Sequence, residues 1–249
     1  MKPLQHRIIV LILNHTKEDI VMNYSKNWIF SFFILLFSVY FVFPNNRKEY
    51  IKQFLPENPI ILEAGAHNGS DTVEMARIFP GSQIYAFEPL PSLFNQLSQK
   101  TKDLSNIKCY RLALSSKPGK ARFYICEPNN GASSLLEPSH LLLADRSLHF
   151  NSIIEVEAIT LDDWAHQEGI PRIDFMWLDM QGSEPEVLMA SQKIFDTVKV
   201  VYTEVNYKPL YEGAILYPEF KNWMQSKGFK IVSETPGYPG QGDVLFVRS

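Results

Sequence analysis

The amino-acid sequence predicts an α/β fold with a doubly wound, mostly parallel sheet. From residue 59 onward, short apolar runs of strand length alternate with stretches of helical length, which is the pattern of βαβ units. Glycine and proline stand where helices should end, since Pro80-Gly81 stops the first predicted helix and Gly228 follows the last. The 249 residues suffice for one such domain and an additional segment.

Each element is assigned from its pattern. The predicted strands are 60–63, 83–87, 107–112, 119–125, 153–159, 173–178, 198–205, 229–233 and 243–247. The predicted helices are 71–79, 91–102, 161–168, 184–193 and 216–227. Capping boxes are expected from Thr160 with Asp163 and from Ser183 with Glu186. The stretch 127–152, rich in Pro, Ser and Asn, interrupts the alternation and predicts a lid, a binding loop or a disordered insertion.

The N-terminal segment 1–58 differs from the domain expected over 59–249. Residues 28–43 read WIFSFFILLFSVYFVF and carry no charge. Their length is close to the lower limit of roughly 17 residues for a spanning helix, and Trp28 and Tyr40 are of the aromatic types found at membrane interfaces. We therefore expect a hydrophobic helix that anchors the chain as a single-pass membrane protein. A buried helix docked on the domain is the alternative, although the stretch lacks a polar stripe.

Charge and cysteine content exclude some classes of protein. The net charge of -3 gives no electrostatic support for a nucleic-acid partner. The two cysteines, Cys109 and Cys126, are too few for a disulfide scaffold and lack metal-binding spacing, so buried free thiols are expected.

A glycine turn after the first strand predicts a nucleotide-type ligand site. Residues 59–72 read PIILEAGAHNGSDT, in which Gly65 and Gly69 permit a tight turn and a helix follows at once. The second strand ends in Glu88, where a carboxylate can accept hydrogen bonds from ribose hydroxyls. Because Glu63 would repel a phosphate, a cationic ligand such as S-adenosylmethionine fits better, with its carboxylate on the amides of the turn.

A dinucleotide is the weaker interpretation of the same turn. The dinucleotide fingerprint is G-x-G-x-x-G, whereas His67 stands here at the position of the second glycine. An NAD-dependent oxidoreductase therefore remains as an alternative, and so does a structural turn flanked by ordinary surface acids.

A second group of acids follows the later strands. The stretch 173–188 reads IDFMWLDMQGSEPEVL, with Asp179 at the end of a strand and Glu184 at the start of a helix. The next strand, VKVVYTEVN, ends near Glu204. Ligands of open α/β sheets bind at the carboxyl ends of the strands, so Glu63, Glu88, Asp179 and Glu204 should gather there. Such a cluster indicates a cationic ligand, a metal or acid–base chemistry.

These blocks together resemble the FkbM-type S-adenosylmethionine-dependent methyltransferases. The resemblance rests on EAGAHNGSDT, YAFEPLPSLFNQL, RLALSS, TLDDW, IDFMWLDMQGSEPEVL and VYTEVN, and it covers roughly residues 59–247. Glu63 stands where the family commonly has Asp, while Asn68 agrees with it. The resemblance implies a class I methyltransferase (Rossmann-like) fold of seven strands with an antiparallel last strand, and O-methylation of a sugar, glycan or small metabolite.

The resemblance and the residues together predict the site. The expected cofactor contacts are Glu63, Gly65, Ala66, His67, Asn68, Gly69, Glu88, Pro89, Ala113, Leu114 and Asp179. For removal of the acceptor proton, or for acceptor binding, Asp179 is the first candidate, then Glu204, then Glu184. No metal is expected, although Asp179 and Glu204 leave a divalent cation possible.

A few further residues and alternatives are predicted less sharply. His140, His149 and Tyr207 are weaker candidates for the site, and core packing is favoured for Trp223. The alternative to an enzyme is a membrane-anchored binding protein that holds S-adenosylmethionine without turnover. Since the cofactor is made in the cytosol, the cytosolic face of the membrane is favoured for the catalytic domain.

Overall fold

The computed structural model describes residues 47–249, so the predicted hydrophobic helix at 28–43 lies outside the described residues. The helices are α1 Arg47–Ile51, α2 Ser70–Ile78, α3 Pro91–Thr101, α4 His140–Leu143, α5 Leu161–Glu168, α6 Glu184–Ala190, α7 Gln192–Phe195 and α8 Tyr217–Ser226. The strands are β1 Ile60–Ala64, β2 Gln83–Phe87, β3 Ile107–Tyr110, β4 Ala113–Leu114, β5 Gly119–Glu127, β6 His149–Ile159, β7 Phe175–Leu178, β8 Val200–Asn206, β9 Phe229–Pro236 and β10 Gln241–Arg248. Short 3-10 helices lie at Lys52–Phe54 and Asn130–Ala132. None of the helices between residues 47 and 249 has the length and apolar character needed to cross a bilayer.

The main sheet has seven strands in the order β3-β2-β1-β7-β8-β10-β9. The pairs from β3 to β8 are parallel, whereas β10 is antiparallel to both of its neighbours. This confirms the α/β prediction with its mostly parallel sheet and antiparallel last strand. The strand order reverses between β1 and β7, and ligands of open sheets bind at such a reversal.

A second sheet of three strands has the order β4-β6-β5. The predicted strands 119–125 and 153–159 therefore pair with each other and do not extend the main sheet. Their apolar face packs on the start of α3, where Phe123 and Val156 share a buried cluster with Leu93. This sheet closes one side of the edge at which β1 and β2 end.

The main sheet is buried on both faces, as a parallel sheet covered by helices should be. In β1, Leu62 and Ala64 belong to the cluster on one face, which also contains Trp164, while Ile61 belongs to the cluster on the other face. Because side chains alternate along a strand, Glu63 points to the same face as Ile61. That face is covered by α1 and α2.

Residues before the predicted domain start also belong to this core. Ile51 of α1 is fully buried in the same cluster as Met75 and Phe79, and Tyr50, Phe54 and Leu55 pack against it. The segment 47–55 is thus an integral part of the folded unit.

The predicted helix ends are partly confirmed. Asp163 N donates to Thr160 Oγ1 over 3.1 Å, so Thr160 caps the helix as predicted. The Asp163 carboxylate accepts from the Thr160 hydroxyl over 2.8 Å, whereas the return bond of a capping box comes from the backbone N–H of the N-cap residue. The second predicted box is wrong. Ser183 has φ -89 and ψ -4, which is not the extended conformation of an N-cap, and its hydroxyl donates to Met180 O.

The predicted helix 184–193 is divided into α6 and α7. Ser191 breaks the helical path with φ -124 and ψ 53, and its buried hydroxyl accepts from Leu161 N over 3.1 Å. This hydrogen bond ties Ser191 to the start of α5, 30 residues away in the chain, at the point where the helix is interrupted.

Candidate active site

A cavity of about 380 Å³ opens at the carboxyl ends of β1, β2 and β7. Its volume lies within the range of ligand pockets, roughly 300–1,000 Å³. The residues that line it are Ala64, Gly65, Ala66, His67, Asn68, Ser70, Asp71, Phe87, Glu88, Pro89, Leu90, Leu93, Leu112, Ala113, Leu114, Phe123, Asn129, Asn130, Gly131, Ser133, Leu135, Trp177, Asp179, Met180 and Ser183. Nine of the eleven predicted cofactor-contact positions are in this set, and Glu63 and Gly69 are not.

Gly65 is required where the ends of β1 and β7 approach each other. It has φ +80, and a Cβ placed on it would lie 1.8 Å from the backbone oxygen of Asp179. Asp179 N donates to Ala64 O over 2.9 Å, which holds the two strand ends together. The glycine therefore allows the backbone of the turn to contact the backbone of Asp179.

Gly69 serves packing behind the turn. It has φ +79, and a Cβ on it would lie 2.8 Å from Leu97 Cδ1 of α3. The close approach of α3 to the start of α2 explains why this glycine is absent from the cavity wall.

Most amides of the turn are used within the protein, contrary to the expectation that they are free for a ligand carboxylate. Gly65 N and Ala66 N donate to Phe87 O over 3.1 and 2.9 Å, and His67 N donates to Glu88 Oε2 over 2.9 Å. The turn is thus fastened to the end of β2.

Glu88 links this turn to the start of α3. Its Oε1 accepts from Leu90 N over 2.8 Å, while Oε2 accepts from His67 N. The residue is 4% exposed and lines the cavity, and burial raises its pKa to about 7. Its carboxyl lies on the cavity wall expected to hold the ribose, and contact with a ribose stays a prediction.

Glu63 is turned away from the cavity, which corrects its predicted place. The strand alternation directs it to α2, where its Oε2 accepts from Thr72 Oγ1 over 2.5 Å. It is 1% exposed, and burial raises its pKa to about 8, so the group is protonated at neutral pH. A neutral carboxyl that faces a helix cannot balance the charge of a cofactor.

Asp179, Glu184 and Glu204 form the acidic cluster. One carboxylate oxygen from each of the three lies within 4.8 Å of the other two. Asp179 follows β7 and lines the cavity, Glu184 begins α6 and is buried, and Glu204 lies in β8. The predicted approach of Asp179 and Glu204 is therefore confirmed, and Glu184 joins them as a third member.

Each carboxylate of the cluster accepts at least one hydrogen bond from the protein. Gln181 Nε2 donates to Asp179 Oδ1 over 2.7 Å, and Gln241 Nε2 donates to Glu204 Oε2 over 2.6 Å. Glu184 accepts from Met180 N over 2.5 Å and from Gly182 N over 2.9 Å.

The three acids raise one another's pKa. Burial is the main cause and mutual repulsion adds to it, bringing the pKa of Asp179 to about 6 and that of Glu184 to about 7, and raising that of Glu204 well above its usual value. Asp179 is solvent-accessible because it lines the cavity, yet protein surrounds it closely. Within residues 47–249 no lysine or arginine forms an ion pair with any of the three.

The apolar part of the cavity lies between β2 and β4. Pro89, Ala113 and Leu114 line it as expected, together with Leu112 and Phe123. Such a wall suits a planar aromatic ring, and adenine contact at Ala113-Leu114 stays a prediction.

The insertion forms a wall of the cavity near Asp179. Asn129, Asn130, Gly131 and Ser133 line the cavity. Ser134 Oγ donates to Gln181 O over 2.9 Å, which fastens the insertion to the turn after β7. The hydroxyl of Tyr211 makes a second link between the insertion and this turn, since it lies 2.9 Å from Ala132 O and 2.8 Å from Gln181 Oε1.

The weaker candidates lie apart from the cavity. His140 and His149 are exposed in the insertion. Tyr207 donates to Glu234 over 2.9 Å, and Trp223 stacks on Phe195 with ring centroids 5.0 Å apart, so Trp223 packs on the core as favoured. Both cysteines are free, and Cys126 is buried while Cys109 is half-buried.

Some lining residues were missed by sequence reasoning. Asp71 and Trp177 lie within the quoted sequence blocks but were given no role in the site, and no motif covers the Asn129–Gly131 turn. Asn206 does not line the cavity, but its place beside Glu204 was predictable, since the alternation of β8 puts both residues on one face.

Comparison with known sequences decides the family. A family model described as the methyltransferase FkbM domain matches residues 63–231, which is more than half of the chain. The chain belongs to the FkbM methyltransferase family. It is therefore an S-adenosylmethionine-dependent methyltransferase, as the sequence motifs predicted.

Curated relatives of this FkbM-family protein are methyltransferases. The chain is 28% identical over 197 residues to the 2-O-methyltransferase NoeI of Sinorhizobium fredii, covering 76% of this chain and 79% of that protein. It is 27% identical over 219 residues to the methyltransferase sdnD of Sordaria araneosa, covering 78% and 83%.

Solved structures with a similar arrangement of elements include an Aeropyrum pernix fibrillarin bound to S-adenosyl-L-methionine. That chain is 13% identical with a TM-score of 0.46, and the match covers 78% of this chain and 69% of that chain. The TrmK protein of M. capricolum, bound to S-adenosylhomocysteine, is 9% identical with a TM-score of 0.46, covering 82% and 68%.

Proposed function

We propose that the protein transfers a methyl group from S-adenosylmethionine to a hydroxyl of a sugar, glycan or small metabolite. The observation that carries this proposal is the single cavity that has the Gly65 turn and Glu88 on one side and Asp179 on another. The name of the relative NoeI, a 2-O-methyltransferase, supports oxygen as the methyl acceptor.

The cofactor is proposed to lie across the ends of β1 and β2. Its adenine would pack on Ala113 and Leu114, and its ribose hydroxyls would donate to the free lone pairs of Glu88. The methionine part would then extend over the Gly65 turn, which brings the sulfonium methyl toward Asp179 and the wall formed by the insertion.

The reaction needs an acceptor oxygen in line with the methyl group and the loss of one proton. The hydroxyl proton passes to a carboxylate oxygen of the acidic cluster, with Asp179 first because it alone of the three lines the cavity. S-adenosylmethionine held at Glu88 and the Gly65 turn would supply the methyl carbon: the acceptor oxygen would bond to it as the carbon–sulfur bond breaks, and the electron pair would stay on sulfur as a neutral thioether. Placement of the two reactants supplies on the order of 7–11 kcal/mol in favourable cases, and a positioned base roughly 10²–10⁴-fold in rate.

The acceptor is proposed to enter through a second cavity of about 450 Å³ that shares Leu135 and Ser183 with the first. Arg122, Glu137 and Glu212 line it, so it offers charged donors and acceptors. Such a lining suits a hydroxyl-rich molecule better than an apolar one.

The direct test is incubation of the full chain with methyl-labelled S-adenosylmethionine and a mixed extract of lipids, glycans and small metabolites. We expect labelled product among hydroxylated small molecules or glycans, and Asp179→Ala should abolish the label while cofactor binding persists. Label found only on protein side chains would contradict the proposed acceptor class. Cofactor binding without any labelled product would favour the alternative of a binding protein without turnover.

Membrane anchoring through residues 28–43 is part of the proposal and rests on the sequence of that stretch. The domain is proposed to face the cytosol. Membrane flotation of the full chain and of a chain lacking residues 1–44 tests this proposal, since only the full chain should float with the lipid. Flotation of both chains would contradict an anchor in the removed segment.

A further inference from the structure

The acidic cluster has the form of a site for a hard cation, and three features of its surroundings support this. Its three carboxylate oxygens lie within 4.8 Å of one another, and each carboxylate accepts a hydrogen bond from a protein donor that orients it. No cationic side chain among residues 47–249 forms an ion pair with them. Carboxylates brought together without a counter-charge repel one another, so the arrangement calls for a positive charge.

A further side chain points to a ligand independently of the acids. Asn206 is 3% exposed, and its Oδ1 has no hydrogen-bond partner within the described part of the chain. Buried amide oxygens are nearly always satisfied, so an orphaned one needs an explanation.

Asn206 lies beside the acidic cluster. Residues 204 and 206 share one face of β8 because side chains alternate along the strand. The Nδ2 of Asn206 lies 3.3 Å from the point where a Cβ on Gly182 would stand, and Gly182 N donates to Glu184. The amide of Asn206 is thus placed between Glu204 and the turn that holds Glu184.

We infer that Asp179, Glu184, Glu204 and the amide oxygen of Asn206 bind a hard divalent cation at the carboxyl edge of β7 and β8. The donor set consists of oxygen atoms only, which Mg²⁺, Mn²⁺ and Ca²⁺ prefer to softer metals. Opposite oxygen ligands are about 4.2 Å apart around Mg²⁺ and about 4.6–5.2 Å apart around Ca²⁺, so three oxygens that all lie within 4.8 Å of one another are close enough to share one such cation.

The hydrogen bonds around the carboxylates fit the role of outer partners of a metal site. Gln181 and Gln241 each hold one oxygen of Asp179 and Glu204, which leaves the second oxygen of each group for the cation. Outer partners of this kind orient ligands, and their loss commonly costs about 10–100-fold in metal affinity.

The inference rests on the proposed function and extends it to the activation of the acceptor. Asp179 belongs both to the cluster and to the cavity wall, so the cation would lie at the border of the cavity. A hydroxyl that coordinates the cation loses its proton more readily, since the positive charge stabilises the alkoxide. The cation is neither oxidised nor reduced, and the proton leaves to a neighbouring carboxylate or to solvent.

The test measures Mn²⁺ binding to the full chain, with the electron paramagnetic resonance signal of the free ion as the readout. We expect one Mn²⁺ per chain, displaced by Mg²⁺ or Ca²⁺, and affinity at least about tenfold lower in Glu204→Gln and in Asn206→Ala. Glu186→Gln is the matched control, because it removes a carboxylate from the same helix as Glu184 but outside the cluster, and it should bind Mn²⁺ like the unchanged chain.

Two outcomes overturn the inference. One is the absence of Mn²⁺ binding to a chain that binds S-adenosylhomocysteine by calorimetry, which would leave the proposed function standing. The other is Mn²⁺ binding that Glu204→Gln and Asn206→Ala do not weaken, with S-adenosylhomocysteine binding as proof that both variants are folded. Failure to bind S-adenosylhomocysteine at all would instead contradict the proposed function.

Discussion

Replacing Glu63 with glutamine should make the protein more stable at neutral and basic pH. The carboxyl of Glu63 is 1% exposed, accepts from Thr72 Oγ1 over 2.5 Å, and has a pKa raised to about 8 by burial. In the unfolded chain the same group has a pKa of about 4.5. The folded state therefore retains a proton that the unfolded state releases between pH 4.5 and pH 8, so this group lowers stability as the pH rises through that window.

The magnitude follows from the two pKa values. At pH 7 the group destabilises the fold by about 3 kcal/mol relative to acidic pH, and by about 4 kcal/mol at pH 8. Glutamine has a similar shape, accepts the same hydrogen bond and does not titrate. The free energy of unfolding of Glu63→Gln minus that of the unchanged chain should thus grow by about 3 kcal/mol between pH 5 and pH 8.

Urea unfolding of both chains at pH 5, 6, 7 and 8 measures this difference, and the other titrating groups cancel in the subtraction. Glu57→Gln, which removes an exposed carboxyl, serves as the control and should change stability by no more than about 0.5 kcal/mol at each pH. A difference between Glu63→Gln and the unchanged chain that is constant from pH 5 to pH 8 would refute the protonated, buried state of Glu63.

Three further substitutions test particular contacts. Gly65→Ala should lower the free energy of unfolding by at least about 2 kcal/mol, because its Cβ would lie 1.8 Å from Asp179 O at φ +80; a urea midpoint equal to that of the unchanged chain would contradict the close approach. Arg248→Lys should lower the free energy of unfolding by about 2–3 kcal/mol, since the guanidinium donates to the backbone oxygens of Val198, Lys227 and Phe195, which an ammonium cannot reach together. A loss under about 0.5 kcal/mol would contradict the importance of these three hydrogen bonds. Tyr211→Phe should speed hydrogen exchange in residues 127–136 about threefold or more, because the insertion loses one hydrogen bond to the Tyr211 hydroxyl. Unchanged exchange would contradict a role for that hydroxyl in holding the insertion.

The alternation of apolar runs and helices sufficed to predict the main sheet. Parallel strands buried on both faces have continuous apolar sequences, so β1, β7 and β8 were recognised from their own residues. The pairing of β5 with β6 was not predictable in this way, because period and composition do not tell which sheet a strand joins.

Part of the site was also predictable from the strand pattern. The carboxyl ends of strands are readable, which located Glu88, Asp179 and Glu204 correctly at one edge. The direction of a side chain at a strand end depends on the register of alternation, and this is why Glu63 was expected at the cavity but faces α2.

Contacts between residues that are far apart in the chain could not be predicted from the sequence. The cavity wall at Asn129–Gly131 depends on hydrogen bonds from Ser134 and Tyr211 to the turn after β7, and those partners are 30 or more residues apart in the chain. The orphaned oxygen of Asn206 likewise depends on the approach of Gly182. Neither has a local signature.

The account is tested most directly by calorimetric titration of the full chain with S-adenosylhomocysteine, in parallel with Glu88→Gln and Glu63→Gln. We predict binding of one equivalent to the unchanged chain, affinity at least about tenfold lower for Glu88→Gln, which corresponds to about 1.4 kcal/mol, and affinity within about twofold for Glu63→Gln. Absence of binding to the unchanged chain, or equal affinity in Glu88→Gln, would contradict a cofactor site at the ends of β1 and β2.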